Sequence, residues 1–431
     1  MRYHQLPPSL FINNRRRFTK ELSPGSLALF NSNDIMPSSA DGTLPFKQQT
    51  DIFWLSGVDQ EESVLVIFPD AKQPEQKEVL FIKETNEQIA VWEGQKLTKE
   101  RATEISGVKT VYWLSQFQTI FHQLVCECEH VYLNTNEHQR ATVDVETRDA
   151  RFVKWCKEQY PLHSYRRVQP LMHKLRAIKS KEEVQLIQQA CDITEKGFRR
   201  LLGFVKPGVW EFEIEAELAH EFLRNRSSGF AYSPIIASGS NACVLHYEEN
   251  DRQCQKNEVL LLDVAAEYGN YASDLTRCLP VSGVFTKRQR AVYQAVLRVM
   301  RGAVALLKVG NTIEQYHQAV GKMMERELVG LKLLKLSDIR KQDPKKPLYK
   351  KYFMHGTSHF LGLDVHDYGD RQRKFEAGMV FTCEPGIYIR AEKLGIRLEN
   401  DILITKNGNE DLMKTIPIEV EEIEELMGKR W

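Results

Sequence analysis

Glu258-Val-Leu-Leu-Leu-Asp-Val-Ala-Ala-Glu-Tyr-Gly-Asn-Tyr-Ala-Ser-Asp-Leu-Thr-Arg-Cys278 is the stretch on which the fold of this chain turns. Its first arm is almost wholly apolar. Gly269-Asn270 tolerates the positive φ of a tight turn, so the segment is expected to form a β-hairpin. Asp263 interrupts the apolar arm and points a carboxylate into a buried layer, where an unpaired charge is expensive. The turn supplies its partner. A loop centred on Tyr268-Gly269 sets Asp263 directly across from Asp274, and one centred on Gly269-Asn270 makes them diagonal neighbours. Either register leaves both side chains on one face, roughly 5–8 Å apart at Cβ. Two carboxylates so placed repel each other. A cation between them is the economical answer, and one shared proton is the alternative.

Further along, His355-Gly-Thr-Ser-His-Phe-Leu-Gly-Leu-Asp-Val-His-Asp367 holds three of the chain's twelve histidines. Gly356 and Gly362 disfavour a regular helix, so this is a loop or strand edge able to approach a ligand closely. A single histidine is more often a packing residue, but three with glycines between them favour a site. Val380-Phe-Thr-Cys-Glu384-Pro-Gly386 then places a carboxylate at the end of an apolar strand stopped by Pro-Gly. Ile396-Arg397-Leu398-Glu399 alternates, so Arg397 and Glu399 share one face, where a structural Arg–Glu pair is the simplest reading. Asp263, Asp274, His359, Glu384 and Glu399 thus make a coherent set of hard ligands. Four carboxylates and one imidazole suit Mn²⁺, Fe²⁺ or Co²⁺ better than thiolate-loving metals. Their four negative charges balance two divalent ions, with a bridging water acidified to hydroxide.

A length of 431 residues exceeds what one core usually serves, so two domains are expected. With 42% hydrophobic and 27% charged residues, the composition is that of an ordinary globular protein. A net charge of +1 gives no electrostatic footprint for nucleic acid or an anionic membrane. No apolar run approaches the roughly 18 residues of a membrane span. Residues Met1 to Phe11 are polar and proline-broken, without the apolar core of a signal peptide, so a cytoplasmic location is expected. The eight cysteines contain no pair at zinc or redox spacing and read as buried free thiols.

Apolar runs of strand length recur through the first third: Leu27–Phe30, Val64–Phe68, Val79–Ile82, Val111–Leu114 and Val131–Leu133. They predict a mixed α/β domain with a largely buried sheet. Arg15–Arg17 falls in an expected first helix and reads as a solvated face. Ser180 and Glu183 form a capping box ahead of Val184, Ile187, Cys191, Thr194, Phe198 and Leu201, spaced for one helix face. Pro207-Gly208 stops that helix, and a second is expected over about 212–224. The domain boundary is placed just before Ser180, giving domains 1–175 and 176–431. Two more helices are expected near 287–307 and 312–327. The lysine-rich stretch Lys332–Lys351 reads as a solvated loop, with a lid as the alternative, and a β-rich tail closes the chain.

In order and spacing these residues resemble the pita-bread metallopeptidases, the family of methionine aminopeptidase, prolidase and aminopeptidase P. The C-terminal half carries the likeness in Asn241-Ala-Cys-Val-Leu-His-Tyr-Glu-Glu-Asn250, the hairpin, the histidine stretch, Glu-Pro-Gly-Ile-Tyr388 and Gly-Ile-Arg-Leu-Glu399. Pro45-Phe-Lys-Gln-Gln-Thr-Asp-Ile-Phe-Trp-Leu-Ser-Gly57 resembles the domain that aminopeptidase P and prolidase add and methionine aminopeptidases lack. The resemblance implies an α+β fold: an N-terminal mixed α/β domain followed by a pita-bread catalytic domain of creatinase/methionine aminopeptidase type. It implies removal of an N-terminal residue that precedes proline, by a hydroxide bridging two divalent ions. Mn²⁺ is the first expectation, with Co²⁺, Fe²⁺ and Zn²⁺ as alternatives. Asp263 would hold one ion, Asp274 and Glu399 would bridge, and His359 and Glu384 would complete the second. Glu384 is also the expected proton shuttle. His246 and His366 match substrate-contacting histidines that polarise the scissile carbonyl, and His355, Tyr388 and Arg397 match pocket residues. Cys243, Cys278 and Cys383 depart from the family pattern beside these positions.

Three other readings stand beside this one. A prolidase would accept only Xaa-Pro dipeptides. A non-catalytic relative would bind peptides or proteins but characteristically lacks the ligands present here, and a metal-free creatinase-like hydrolase also replaces those carboxylates. A homodimer or homotetramer is implied, with Trp92 as a candidate contributor to a neighbour's site.

Overall fold

The computed structural model describes residues 2–138 and 142–429. The chain falls into two compact units, Tyr3–Arg176 and a second beginning at Ala177.

The N-terminal unit is built on a six-stranded mixed sheet. Its spatial order is Thr110–Trp113, Glu78–Ile82, Val64–Ile67, Ser26–Asn31, His130–Leu133, Ser164–Arg167. The five apolar runs occupy the first five positions. Ser26–Asn31 and Val64–Ile67 are buried at every residue, which is why they read as continuous hydrophobic runs. The sixth strand, Ser-Tyr-Arg-Arg, escaped the hydrophobic reading because it is an exposed or half-buried edge.

The arginine run is a correction. Helix Pro8–Thr19 does contain Arg15–Arg17, but only Arg16 is exposed. Arg15 is fully buried and donates to the carbonyls of Leu55 and Ser106 and to Glu78. Two helix ends otherwise leave buried carbonyls without this donor, and one planar guanidinium reaches both while pairing with the part-exposed Glu78.

In the second unit, Ser180 Oγ accepts from the Glu183 N–H while Glu183 accepts from the Ser180 N–H, starting helix Lys181–Phe204. Its buried stripe includes Ile187, Cys191, Thr194, Phe198 and Leu201. Helices Glu211–Arg224, Lys287–Val304 and Ile313–Gly330 follow where the periodicity places them. The lysine-rich stretch carries a short helix, Leu336–Ile339, and a turn, Leu348–Lys351. The unit's strands pair antiparallel throughout. No described helix is long and apolar enough to cross a membrane.

Candidate metal centre

Two antiparallel ribbons build the site. In the first, strand Val259–Asp263 pairs with Thr276–Pro280, and Asp263 lies across from Thr276. The tip pairs Tyr268 with Tyr271 around Gly269 and Asn270, whose φ values of 58° and 66° are those of a type I′ turn. Of the two registers open to the sequence, the structure therefore takes the one that sets Asp263 and Asp274 diagonally. The second ribbon pairs Val380–Cys383 with Asn400–Thr405, and Gly386–Ile389 with Leu394–Arg397. Cys383 faces Asn400 and Gly386 faces Arg397, so one register runs through the break and brings Glu384 opposite Glu399. The Glu399 N–H donates to the Thr276 carbonyl at 3.1 Å, locking the ribbons together. Each ribbon thus contributes one pair of carboxylates.

His359 comes from the irregular segment between them. Its N–H donates to Thr382 Oγ1, and its Nε2 lies 3.3 Å from Asp274 and 3.8 Å from Glu384. Ligand atoms of Asp274, His359 and Glu399 all fall within 4.8 Å of one another. Tyr232 donates to Asp263 at 2.7 Å, and Thr276 Oγ1 donates to Glu399 at 2.6 Å. The buried Asp401 accepts the Asp274 N–H. Tyr232, Thr276 and Asp401 went unnoticed in the sequence. Thr276 and Asp401 each sit two residues past a named acid, hence on the same strand face, and that spacing was the available signal.

The expected Arg397–Glu399 pair is replaced by another. Arg397, 4% exposed, donates to Asp263, to Thr276 Oγ1 at 3.0 Å and to Tyr388 Oη at 2.8 Å.

Among the described residues, Arg397 is the one lysine or arginine that pairs with these four acids. Burial raises the carboxyls of Asp263, Glu384 and Glu399 above their usual range, and the acids' mutual repulsion adds to it. Glu384 is pushed up to about 7. Burial opposes protonation of His359, but its hydrogen bond to Asp274 and the charges of Glu384 and Asp274 outweigh that and raise it. Four ionised acids against one guanidinium leave three uncompensated negative charges in a buried space. Two divalent cations with one further anion would cancel them, so the donor set fits a two-ion centre.

His355 Nε2 meets Tyr388 Oη at 2.8 Å, and burial pushes that imidazole down to about 3, keeping it neutral. The ring of His366 packs edge-on to His359 at 4.3 Å between centroids. His246 and His366 are exposed, so both could reach a bound molecule. Cys243, Cys278 and Cys383 are buried, and burial raises the thiols of Cys278 and Cys383 to about 12, which keeps them unreactive. Trp92 is 84% exposed.

Residues 185–406 match the model of metallopeptidase family M24, and residues 11–132 match that of the aminopeptidase P N-terminal domain. The chain belongs to metallopeptidase family M24. This M24 chain is 33% identical to an Xaa-Pro aminopeptidase of Haemophilus influenzae, covering 98% of each. It is 34% identical to an Xaa-Pro aminopeptidase of Escherichia coli, covering 97% of each. A zinc-substituted Escherichia coli aminopeptidase P in complex with product superposes with a TM-score of 0.88 at 31% identity, covering 99% of this chain and 100% of that one. The M24 chain is a metallopeptidase with the α+β, pita-bread architecture of its relatives, and divalent metal ions are its cofactors.

Proposed function

We propose that this chain is an Xaa-Pro aminopeptidase that cleaves the bond between an N-terminal residue and a following proline. The observation that carries the reading is the two carboxylate couples of the ribbons beside His359, with ligand atoms of Asp274, His359 and Glu399 within 4.8 Å of one another. Asp263, Asp274, His359, Glu384 and Glu399 hold two divalent ions, Mn²⁺ by preference, since oxygen donors outnumber nitrogen and no thiolate is among them. Those ions, when bound, supply an acidified water and a Lewis acid for the scissile carbonyl.

The remaining roles fall to side chains. Glu384 relays the proton from the attacking water to the leaving nitrogen. His246 and His366 donate to the carbonyl oxygen as it gains charge. His355, Tyr388 and Arg397 line the pocket for the proline side. An Xaa-Pro bond offers no N–H, and its ring fixes φ, so shape and carbonyl recognition must replace the hydrogen bond that ordinary peptidases read. A cytoplasmic homodimer or homotetramer is part of the same proposal, and sedimentation of the purified chain tests the assembly.

Activity on Gly-Pro-Ala beside Gly-Pro tests the substrate class. Release of glycine from the tripeptide is expected, whereas cleavage of the dipeptide alone would mark a prolidase. Glu384→Ala should abolish turnover with an unchanged circular dichroism spectrum, and full turnover in that variant would sink the mechanism. Elemental analysis should find two ions per chain, with Mn²⁺ restoring activity after chelation.

A further inference from the structure

Lys179 and Asp367 form an ion pair at 2.9 Å with both side chains only 1% exposed. They are 188 residues apart in sequence. Neither belongs to the carboxylate cluster, but Asp367 stands in the segment that follows His359 and contains His366. Asp367 directly follows His366, and its N–H donates to the Phe360 carbonyl, closing the loop that bears His359 and His366. The Lys179 N–H donates to the Gly378 carbonyl at 2.8 Å, just before the strand that ends at Glu384. Gly362 completes the joint. Its carbonyl accepts from Ala272 in the Asp263–Asp274 hairpin, and a Cβ there would stand 2.1 Å from Asp367 Oδ2 and 3.0 Å from Lys179 Cε. The pair is packed into a slot that only a glycine leaves open.

Burying two charges is costly, and an apolar pair of similar volume often serves stability equally well. What an ion pair adds is a single orientation for each partner. His366 lies in an irregular segment with its ring edge-on to His359, and the buried pair at the next residue fixes the backbone that carries it.

We propose that Lys179 is a positioning residue which, through Asp367, fixes His366 against the reacting carbonyl. The inference rests on the reading of His366 as a substrate-contacting residue.

A double-mutant cycle on the metal-loaded enzyme with Gly-Pro-Ala tests it. Lys179→Met should lower kcat about tenfold or more, with KM and ions per chain near wild type. In a His366→Ala background the same change should lower kcat less than twofold, because the group it orients is gone. Asp367→Asn, which keeps an acceptor facing Lys179 and is the milder change, should show the same non-multiplying pattern and serves if Lys179→Met does not fold. Losses that multiply across the cycle overturn the proposal and leave the reading of His366 intact. Wild-type activity in His366→Ala alone overturns that reading and the positioning role with it.

Discussion

One hydroxyl at Thr276 serves two charged groups, donating to Glu399 Oε2 and accepting from Arg397 Nε. Thr276→Val keeps the shape and removes both bonds. Groups that orient metal ligands are typically worth ten- to a hundredfold in affinity, so retention of the second ion should weaken by about tenfold. Competition with a chelating dye reads this directly. Arg397 belongs to the same logic, since its charge and hydrogen bond oppose the rise that burial and Asp274 impose on the Asp263 carboxyl. The acids also set a pH dependence in the metal-free protein. Glu384 titrates near 7 when folded and near 4.5 as an ordinary carboxyl, so the folded state holds its proton more tightly. Its contribution to stability is complete below about pH 4.5 and is lost as pH rises through 7. The melting temperature of the chelated protein should therefore fall between pH 5 and pH 8, and added Mn²⁺ should raise it more at pH 8. A flat or rising profile would contradict the buried, repelling cluster. At this scale the residue types were readable in the sequence, but their partners were not. Arg397 reaches Asp263 across 134 positions, and no local period encodes that contact.

Each ribbon brings two acids onto one face, diagonally in the first and directly opposed in the second. Because side chains in a strand repeat every second residue, a one-position slip would send an acid to the wrong face. The turn at Gly269-Asn270 guards against this in the first ribbon, where both residues have positive φ. Gly269→Val forces a β-branched side chain into that region at a cost of about 1–2 kcal/mol. It should lower the melting temperature and, by loosening the register, the ions retained per chain. Loss of stability with full metal content would show that the register is set elsewhere. The apolar arm and the Gly-Asn turn made this hairpin legible, though two registers remained open until the strand pairs were seen. The second ribbon was harder to read. Pro385 interrupts it, so Glu384 and Glu399 looked like unrelated strand ends although one register passes through both. The edge strand Ser164–Arg167 was illegible for the opposite reason: it buries too little to need an apolar pattern.

Across the whole molecule, each unit has its own core, and the two differ in what supports it. Arg15 is the clearest case in the first, a buried charge tying its own helix to two helix ends and a strand. Arg15→Met should destabilise by about 1–3 kcal/mol for each of the two buried carbonyls it leaves without that donor. Calorimetry should show that loss while the ion content stays at two per chain, because the carboxylate ribbons lie wholly in the second unit. A parallel loss of ions would contradict this separation. By itself, the sequence determined the helices marked by caps and a 3.6-residue period and the first hairpin with its Gly-Asn turn. All of these follow from short-range periodicity and turn chemistry. Only the tertiary structure decided which register the hairpin takes, that Glu384 faces Glu399, that Arg397 neutralises Asp263, and that Lys179 meets Asp367. Those contacts join segments far apart along the chain, and their energies appear only once water is excluded and a buried charge must find its partner.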